Sequence, residues 1–160
     1  MKKFKIDKIK PIDTHIEFGT KLSKDDMGTT VNSTLYKKLV GVLMYLTTTR
    51  PDIAYATSYI SRFMESPKDC HWKVGKRVLR YITGTTTCGL CYIASTNNKL
   101  IGYIKNDFAG CIHDKKSTYG YAFPLGKNLI SWTSKKKPIV IISSIESRYV
   151  AATTVACQLI

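Results

Sequence analysis

Apolar residues recur every three or four positions between residues 33 and 84, and this spacing predicts three amphipathic helices. The first helix is apolar nearly all round in its second half, so we expect it to be the central, buried helix. The second begins at Pro51 and ends before Pro67, since proline suits the first turn of a helix but not its interior. The third covers about residues 70–82 and stops at Gly84.

The apolar pattern changes to alternation after residue 87, which predicts β-strands instead of helices. Strands are predicted at residues 90–93, 100–104, 117–125, 129–133 and 138–142. The first two strands are expected to pair with each other around the polar turn at residues 95–98.

A final helix is predicted to begin at Ser143 or Ser144, either of which suits an N-terminal cap. The stripe that faces the sheet is predicted to consist of Arg148, Ala152, Val155 and Leu159. Glu146 lies off this stripe, where its negative charge would favour the N-terminus of the helix.

Together these elements predict an α+β protein, in which a three-helix segment precedes an antiparallel sheet and a C-terminal helix that packs on it. Residues 1–32 are predicted to be an extended basic arm, residues 33–87 a helical segment, and residues 88–160 the sheet with its helix. Because the arm is polar and has little periodicity, we expect it to become ordered only against a partner surface.

The net charge of +14, from 25 basic and 11 acidic residues, favours polyanions as partners, with nucleic acid ahead of an anionic membrane surface. The third helix concentrates positive charge on one face. The basic residues of that face are Lys73, Lys76, Arg77 and Arg80. They are predicted to neutralise nucleic-acid phosphates without selecting a base sequence, and the alternative is a solvated face of a basic protein.

The apolar runs of the chain are too short to span a bilayer, and no secretion signal is visible after the basic start. An intracellular protein, cytoplasmic or nuclear and without a membrane partner, is therefore predicted, with its five cysteines reduced. Cys88 and Cys91 form a CxxC motif, but no second pair stands at zinc spacing, so no metal site is predicted there.

Short motifs along almost the whole chain resemble, in order, the end of copia-type retrotransposon Pol polyproteins. In the helical half they are LYKKLVG at 35–41, MYLT at 44–47, TRPDI at 49–53, HW at 71–72 and KRVLRY at 76–81. In the second half they are LIGY at 100–103, DFAGC at 107–111, KST at 116–118, SW at 131–132 and SSIESRYVAA at 143–152. The resemblance implies a region that follows the reverse transcriptase core. It also implies that residues 88–160 are the N-terminal half of a ribonuclease H-like domain, with an incomplete sheet.

Ribonuclease H activity in the parent fold of this family requires acidic residues that hold two Mg²⁺ ions. The family pattern on the first strand is Gly-Tyr-Ser/Thr-Asp-x-Asp-Trp-Ala-Gly. Here Lys105 stands at its first Asp, and Asp107 keeps its second. The pattern on the helix is Ser-Ser-x-Glu-Ala-Glu-Tyr, in which Glu146 keeps the first Glu and Arg148 replaces the second. These replacements imply that no catalytic set is intact, and neither Mg²⁺ nor another cofactor is expected.

The resemblance and the substitutions lead to three hypotheses. The first is a catalytically inactive fragment of the reverse transcriptase and ribonuclease H region that binds RNA/DNA hybrid or duplex without sequence selectivity. The second is a non-enzymatic module recruited to bind another protein, through the open edge of its sheet. The third is an active ribonuclease H completed by another chain that supplies the missing strands.

Overall fold

The computed structural model describes residues 10–24, 26–94, 96, 98–107, 110 and 114–159; four lysines of the predicted arm, at positions 2, 3, 5 and 8, lie outside them. The chain divides into two compact units, Met1–Gly89 and Leu90–Ile160. The described residues form four α-helices and a three-stranded antiparallel sheet, which confirms the predicted α+β class. None of the helices in these ranges is both long enough and apolar enough to cross a membrane.

The helical unit contains α1 (Ser33–Leu46), α2 (Ala54–Ile60) and α3 (Asp69–Gly84). The side chain of Asn32 caps α1 by accepting a hydrogen bond from the Leu35 N–H over 3.0 Å. Single 3₁₀ turns at Pro51–Ile53 and Ser61–Phe63 flank α2. The three helices expected from the apolar periodicity are therefore confirmed.

The helices of this unit enclose one apolar core. Its buried side chains are Leu22, Tyr36, Leu39, Val40, Leu43, Ile53, Ala56, Tyr59, Ile60, Phe63, Val78 and Leu79. Gly75 allows α3 to approach α1 closely, because a β-carbon at this position would lie 2.7 Å from Leu39 Cδ2. The expectation that α1 is buried on all sides is wrong, since Val42, Met44 and Tyr45 are exposed.

The described residues of the range 10–32, that is 10–24 and 26–32, form no helix and one isolated β-bridge, and they contact the helices of their own unit. Leu22 is buried, and its backbone N–H donates to Tyr59 Oη over 2.8 Å. The Val31 N–H donates to the Pro67 carbonyl oxygen over 3.0 Å. These contacts satisfy backbone groups of the segment, so the chain itself supplies a surface that orders these residues.

The sheet unit contains β1 (Tyr103–Asp107), β2 (Thr118–Leu125) and β3 (Asn128–Lys136), followed by α4 (Ser144–Leu159). The strands are antiparallel in the order β1-β2-β3, and the register places Lys105 opposite Gly120 and Gly120 opposite Ser134. Gly126, with a φ of 59°, lies in the turn between β2 and β3. The helix α4 packs on β1 and β2.

Two of the predicted strands are wrong. Residues 90–93 do not form a strand, and the backbone of Ile93 instead makes two 2.8 Å hydrogen bonds with the side chain of Asn128. Residues 138–142 follow β3 but leave the sheet. The strand predicted at 100–104 begins later, as β1, and pairs with β2. An alternating pattern identifies extended chain but does not specify its partner.

The face that α4 presents to the sheet also differs from the prediction. Its buried residues are Ser147, Ala151 and Val155, whereas Arg148 and Ala152 are exposed. Val155 is thus confirmed as buried, and the side chain of Leu159 lies outside the described part of the chain. Ser147 and Ala151 each lie one residue before a predicted position, which corresponds to about 100° around the helix. The small polar Ser147 concealed this difference in the sequence pattern.

Candidate functional site

The basic residues that the sequence predicts as a nucleic-acid contact lie along α3. Lys73 Nζ is 2.7 Å from Asp69 Oδ2, and the Lys73 side chain is 74% exposed. Lys76 Nζ lies 5.4 Å from the centroid of the Trp72 ring, within cation–π range. Because an exposed ion pair contributes little to stability, Lys73 can exchange Asp69 for a phosphate group at small cost.

Both arginines of this face contact the segment at residues 10–20. Arg77 Nη1 is 2.5 Å from Glu17 Oε1, and Arg77 Nη2 donates to Thr14 Oγ1 over 2.9 Å. Arg80 Nε donates to the Lys10 carbonyl oxygen over 2.9 Å. The lysines and arginines line one groove of about 410 Å³, together with Glu17, Thr20 and Val74. The two lysines are therefore better placed for phosphates than the two arginines.

The positions on β1 that the family resemblance singles out are both exposed. Lys105 and Asp107 are two residues apart and so share one face of the strand, while Asn106 points to the other face. Asn106 Nδ2 donates to Ser147 Oγ of α4 over 2.7 Å, so the Asn106 face is the one that α4 covers. Lys105 and Asp107 consequently lie on the face turned away from α4.

The start of α4 uses Glu146 as a capping residue. The Glu146 N–H donates to Ser143 Oγ over 3.0 Å, and Glu146 Oε2 accepts from the Ile142 N–H over 3.1 Å. This reciprocal arrangement satisfies N-terminal donors and places a negative charge at the positive end of the helix. Arg148 is exposed on α4, so the structure does not bring Lys105 and Arg148 together into one site.

A buried polar cluster lies beneath α4, and no pattern in the sequence predicts it. Lys137 is only 2% exposed, and its Nζ lies 2.6 Å from the Ser147 carbonyl oxygen and 3.1 Å from Ser147 Oγ. Ser147 Oγ is also 3.4 Å from the buried Ser117 Oγ. Burial lowers the pKa of the Lys137 amine, with Glu146 opposing that shift. A run of three lysines is typical of a solvated surface, and nothing in the run marks its last member as buried.

One group of possible metal ligands occurs among the described residues: Asp26, Cys70 and His71. His71 Nδ1 accepts a hydrogen bond from the Lys68 N–H over 2.9 Å, which requires the ring proton to be on Nε2. Nε2 then donates to the Ser23 carbonyl oxygen, 3.0 Å away. With both ring nitrogens engaged by backbone groups, this histidine has no lone pair for a metal. The cluster instead joins residues 23–26 to α3.

Comparison with known proteins finds relatives among transposon polyproteins. The chain is 39% identical over 167 residues to the retrovirus-related Pol polyprotein from transposon TNT 1-94 of Nicotiana tabacum; the match covers 100% of this chain and 12% of that protein. It is 38% identical over 150 residues to the Pol polyprotein from transposon RE2 of Arabidopsis thaliana, covering 94% of this chain and 10% of the relative. No family model and no solved structure matches the chain.

A shorter relative is matched over most of its own length. The secreted RxLR effector protein 161 of Plasmopara viticola is 44% identical over 117 residues, which are 72% of this chain and 82% of that protein. The α+β fold and the matches to polyproteins define a segment of a retrovirus-related Pol protein. More narrowly, the chain belongs to the copia-type family of retrotransposon Pol polyproteins, of which it spans only a small fraction.

Proposed function

We propose that the chain is a catalytically inactive Pol fragment from the reverse transcriptase and ribonuclease H region, and that it retains non-selective affinity for nucleic acid. The observation that carries this proposal is the position of Lys105 in the middle of β1. At this position the active family has an aspartate. A lysine there repels the dications on which the cleavage reaction depends.

The surroundings of the other acidic residues support the same conclusion. The Glu146 carboxylate is engaged by the Ile142 N–H, and Arg148 places a positive charge in the second turn of the same helix. Asp107 lies on the face of β1 turned away from α4. Two carboxylates that do not converge cannot share two metal ions, because each ion needs several ligands at about 2.0–2.1 Å.

Nucleic-acid binding would depend on Lys73 and Lys76 of α3. The test measures affinity for a fluorescently labelled RNA/DNA hybrid by anisotropy, over a series of salt concentrations. Lys73→Gln with Lys76→Gln should weaken binding and reduce the slope of log K against log[salt] by about 1.8, since each phosphate contact contributes about 0.9. Lys37→Gln with Lys38→Gln on α1 is the matched control, because it removes the same number of positive charges at two exposed positions of another helix. Equal losses in the two variants would contradict the assignment to α3.

Inactivity is tested separately, with a Mg²⁺-dependent cleavage assay on the same hybrid. The protein should show no turnover above that of buffer, and robust metal-dependent cleavage would refute this part of the proposal. Calorimetric titration of Lys105→Asp with Arg148→Glu then measures whether restored carboxylates recover Mg²⁺ affinity. Recovered affinity would assign the loss to the two replaced carboxylates, whereas no recovery would assign it to ligands beyond these two positions.

A second candidate function is that of a recruited protein-interaction module. The chain exposes large apolar side chains between β3 and the second turn of α4: Ile139, Val140, Ile142, Ile145 and Tyr149. Exposed apolar clusters of this kind are typical of protein-binding surfaces. The relative named as a secreted effector, largely covered by this chain, is consistent with use of the segment as a separate protein. Ile142→Asp with Ile145→Asp should abolish partner binding and leave affinity for the hybrid unchanged.

A further inference from the structure

The sheet has two edges, and the β3 edge is protected against pairing with another strand. Near the start of β3, the Tyr92 hydroxyl donates to the Leu129 carbonyl oxygen over 3.0 Å, and Asn128 is bonded to Ile93. Near its end stand Lys135, which is exposed, and Lys136, whose Nζ is 2.7 Å from Asp114 Oδ2. Coverage by a neighbouring segment and lysine side chains are two devices that prevent edge-to-edge association.

The β1 edge has no covering segment in the described part of the chain, and its one lysine, Lys105, is balanced by Asp107. Among the described residues no strand lies beyond β1 in the sheet, and Tyr103 and Ile104 are 60% and 44% exposed. The strand carries one lysine and one aspartate, Lys105 and Asp107, so its charges sum to zero. An exposed strand edge with apolar side chains and no net charge is a template for a further strand.

We propose that β1 pairs with β1 of a second copy of this chain, in antiparallel orientation around a two-fold axis at Asn106. This register places Lys105 of each copy directly opposite Asp107 of the other, and the two residues share one face of the joined sheet. The contact is self-complementary, as a two-fold interface requires. Within the described strand the contact pairs residues 105–107 of the two copies, and it joins the two three-stranded sheets into one sheet of six strands.

The charges select this register over its neighbours. An axis at Lys105 would place the two lysines opposite each other, and an axis at Asp107 would do the same with the two aspartates. Like charges directly opposite are destabilising, whereas opposite charges stabilise a strand pair. Because Lys105 and Asp107 lie on the face away from α4, the helix does not obstruct their cross-strand contact. This inference does not depend on nucleic-acid binding.

The experiment is sedimentation equilibrium of the full chain without nucleic acid, from low to high micromolar concentration. The unaltered protein should approach twice the 18.0 kDa mass of one chain as the concentration rises. Lys105→Asp and Asp107→Lys, made separately, should each remain monomeric, because each creates two like-charge contacts across the axis. Circular dichroism and thermal melting show whether each variant remains folded.

Mixing the two single variants gives the most specific result. One strand then carries two aspartates and the other two lysines, so the mixture should form a heterodimer although neither component dimerises alone. Lys105→Asp with Asp107→Lys in one chain should also restore the dimer. Lys127→Asp, in the turn between β2 and β3, is the control for a charge reversal away from β1 and should dimerise normally. A monomeric unaltered protein, dimerisation of the single variants, or failure of the mixture would each overturn the proposal.

Discussion

Lys137 Nζ donates hydrogen bonds to Ser147 at two points, the carbonyl oxygen at 2.6 Å and the hydroxyl at 3.1 Å. These bonds connect the residue that follows β3 to the first turns of α4. Lys137 is buried, and no ion pair between its amine and a carboxylate is found within the described part of the chain. Burial of a charge without a counter-ion is costly, so the protonation state of this amine influences the stability of the fold.

The first prediction concerns this amine. Burial lowers the pKa of Lys137 from its ordinary value of 10.5. Between the two values the unfolded chain binds more protons than the folded one, so Lys137 makes the free energy of unfolding rise with pH in that window. When urea denaturation is measured from neutral pH to about pH 10, the free energy of unfolding should rise less for Lys137→Met than for the unaltered protein. Lys127→Met, at an exposed position in the turn between β2 and β3, should leave the rise in the free energy of unfolding unchanged.

The second prediction concerns His71, whose ring stacks on Phe63 with centroids 3.9 Å apart. Burial is the main cause that lowers the pKa of His71 below 6.5. Protonation on Nδ1 would remove the acceptor of the Lys68 N–H. The contribution of neutral His71 to the free energy of unfolding is therefore complete above pH 6.5. It is lost as the pH falls through the lowered pKa of His71 in the folded protein.

His71→Phe keeps an aromatic ring against Phe63 but removes both ring nitrogens. At pH 7.5 it should lower the free energy of unfolding by about 1–3 kcal/mol, because buried backbone groups lose their partners. Between about pH 5 and pH 6.5 its stability should depend less steeply on pH than that of the unaltered protein. Burial also lowers the pKa of His15, so both proteins are best compared in a His15→Gln background. If the free energy of unfolding changed equally with pH in the two proteins, the role given to His71 would be contradicted.

The third prediction concerns Arg50, whose side chain is 8% exposed. It makes a bidentate contact with Asp52 at 3.0 and 2.7 Å and donates to the Thr85 carbonyl oxygen and hydroxyl at 2.9 and 2.7 Å. Arg50→Met should lower the free energy of unfolding by about 1–3 kcal/mol, since it removes the donors to Asp52 and Thr85, whereas Asp52, 34% exposed, can still be solvated. Lys73→Met, which removes the exposed pair with Asp69, should have no measurable effect. Chemical denaturation of both variants provides the comparison.

The fourth prediction uses two glycines in helices with opposite surroundings. A β-carbon at Gly75 would lie 2.7 Å from Leu39 Cδ2 in the core, whereas one at Gly41 would meet nothing. Gly75→Ala should therefore destabilise the protein by about 1–3 kcal/mol through overpacking. Gly41→Ala should stabilise it by about 0.5–1 kcal/mol, because alanine is the better helix former. Thermal melting of the two variants measures both effects. If Gly75→Ala also raised the melting temperature, the contact between α1 and α3 would relax to admit the β-carbon.

The helices were predictable because prolines and apolar periodicity are local signals. Pro51 and Pro67 delimit the region around α2 in the sequence and in the structure. Burial was less predictable: Val42, Met44 and Tyr45 of α1 are as apolar as core residues, yet they lie at the surface. A pattern of apolar residues shows which faces prefer to be covered, but not whether the described chain supplies enough surface to cover them.

Strand pairing and the candidate site were harder to predict because they depend on distant residues. The run at 90–93 has the composition of a strand, but its Ile93 backbone is bonded to Asn128, 35 positions away. Ser147, and not Arg148, is the residue of α4 that is buried against the sheet unit. Lys137 is therefore buried beside Ser147, while Arg148 is exposed. Family resemblance identified Lys105 and Arg148 as substituted positions, but it did not indicate that they lie on separate surfaces.

The contacts of residues 10–32 determine how the helical unit acquires its structure. Arg80 and Lys10 are 70 positions apart, and His71 and Ser23 are 48 apart. Helical domains fold quickly when their contacts are local, and closing long loops slows this process. We therefore expect the unit to fold in two kinetic phases, with rapid association of α1, α2 and α3 before slower docking of the N-terminal segment. In the interval, Leu22 and the groups that it covers would be open to solvent and to proteases.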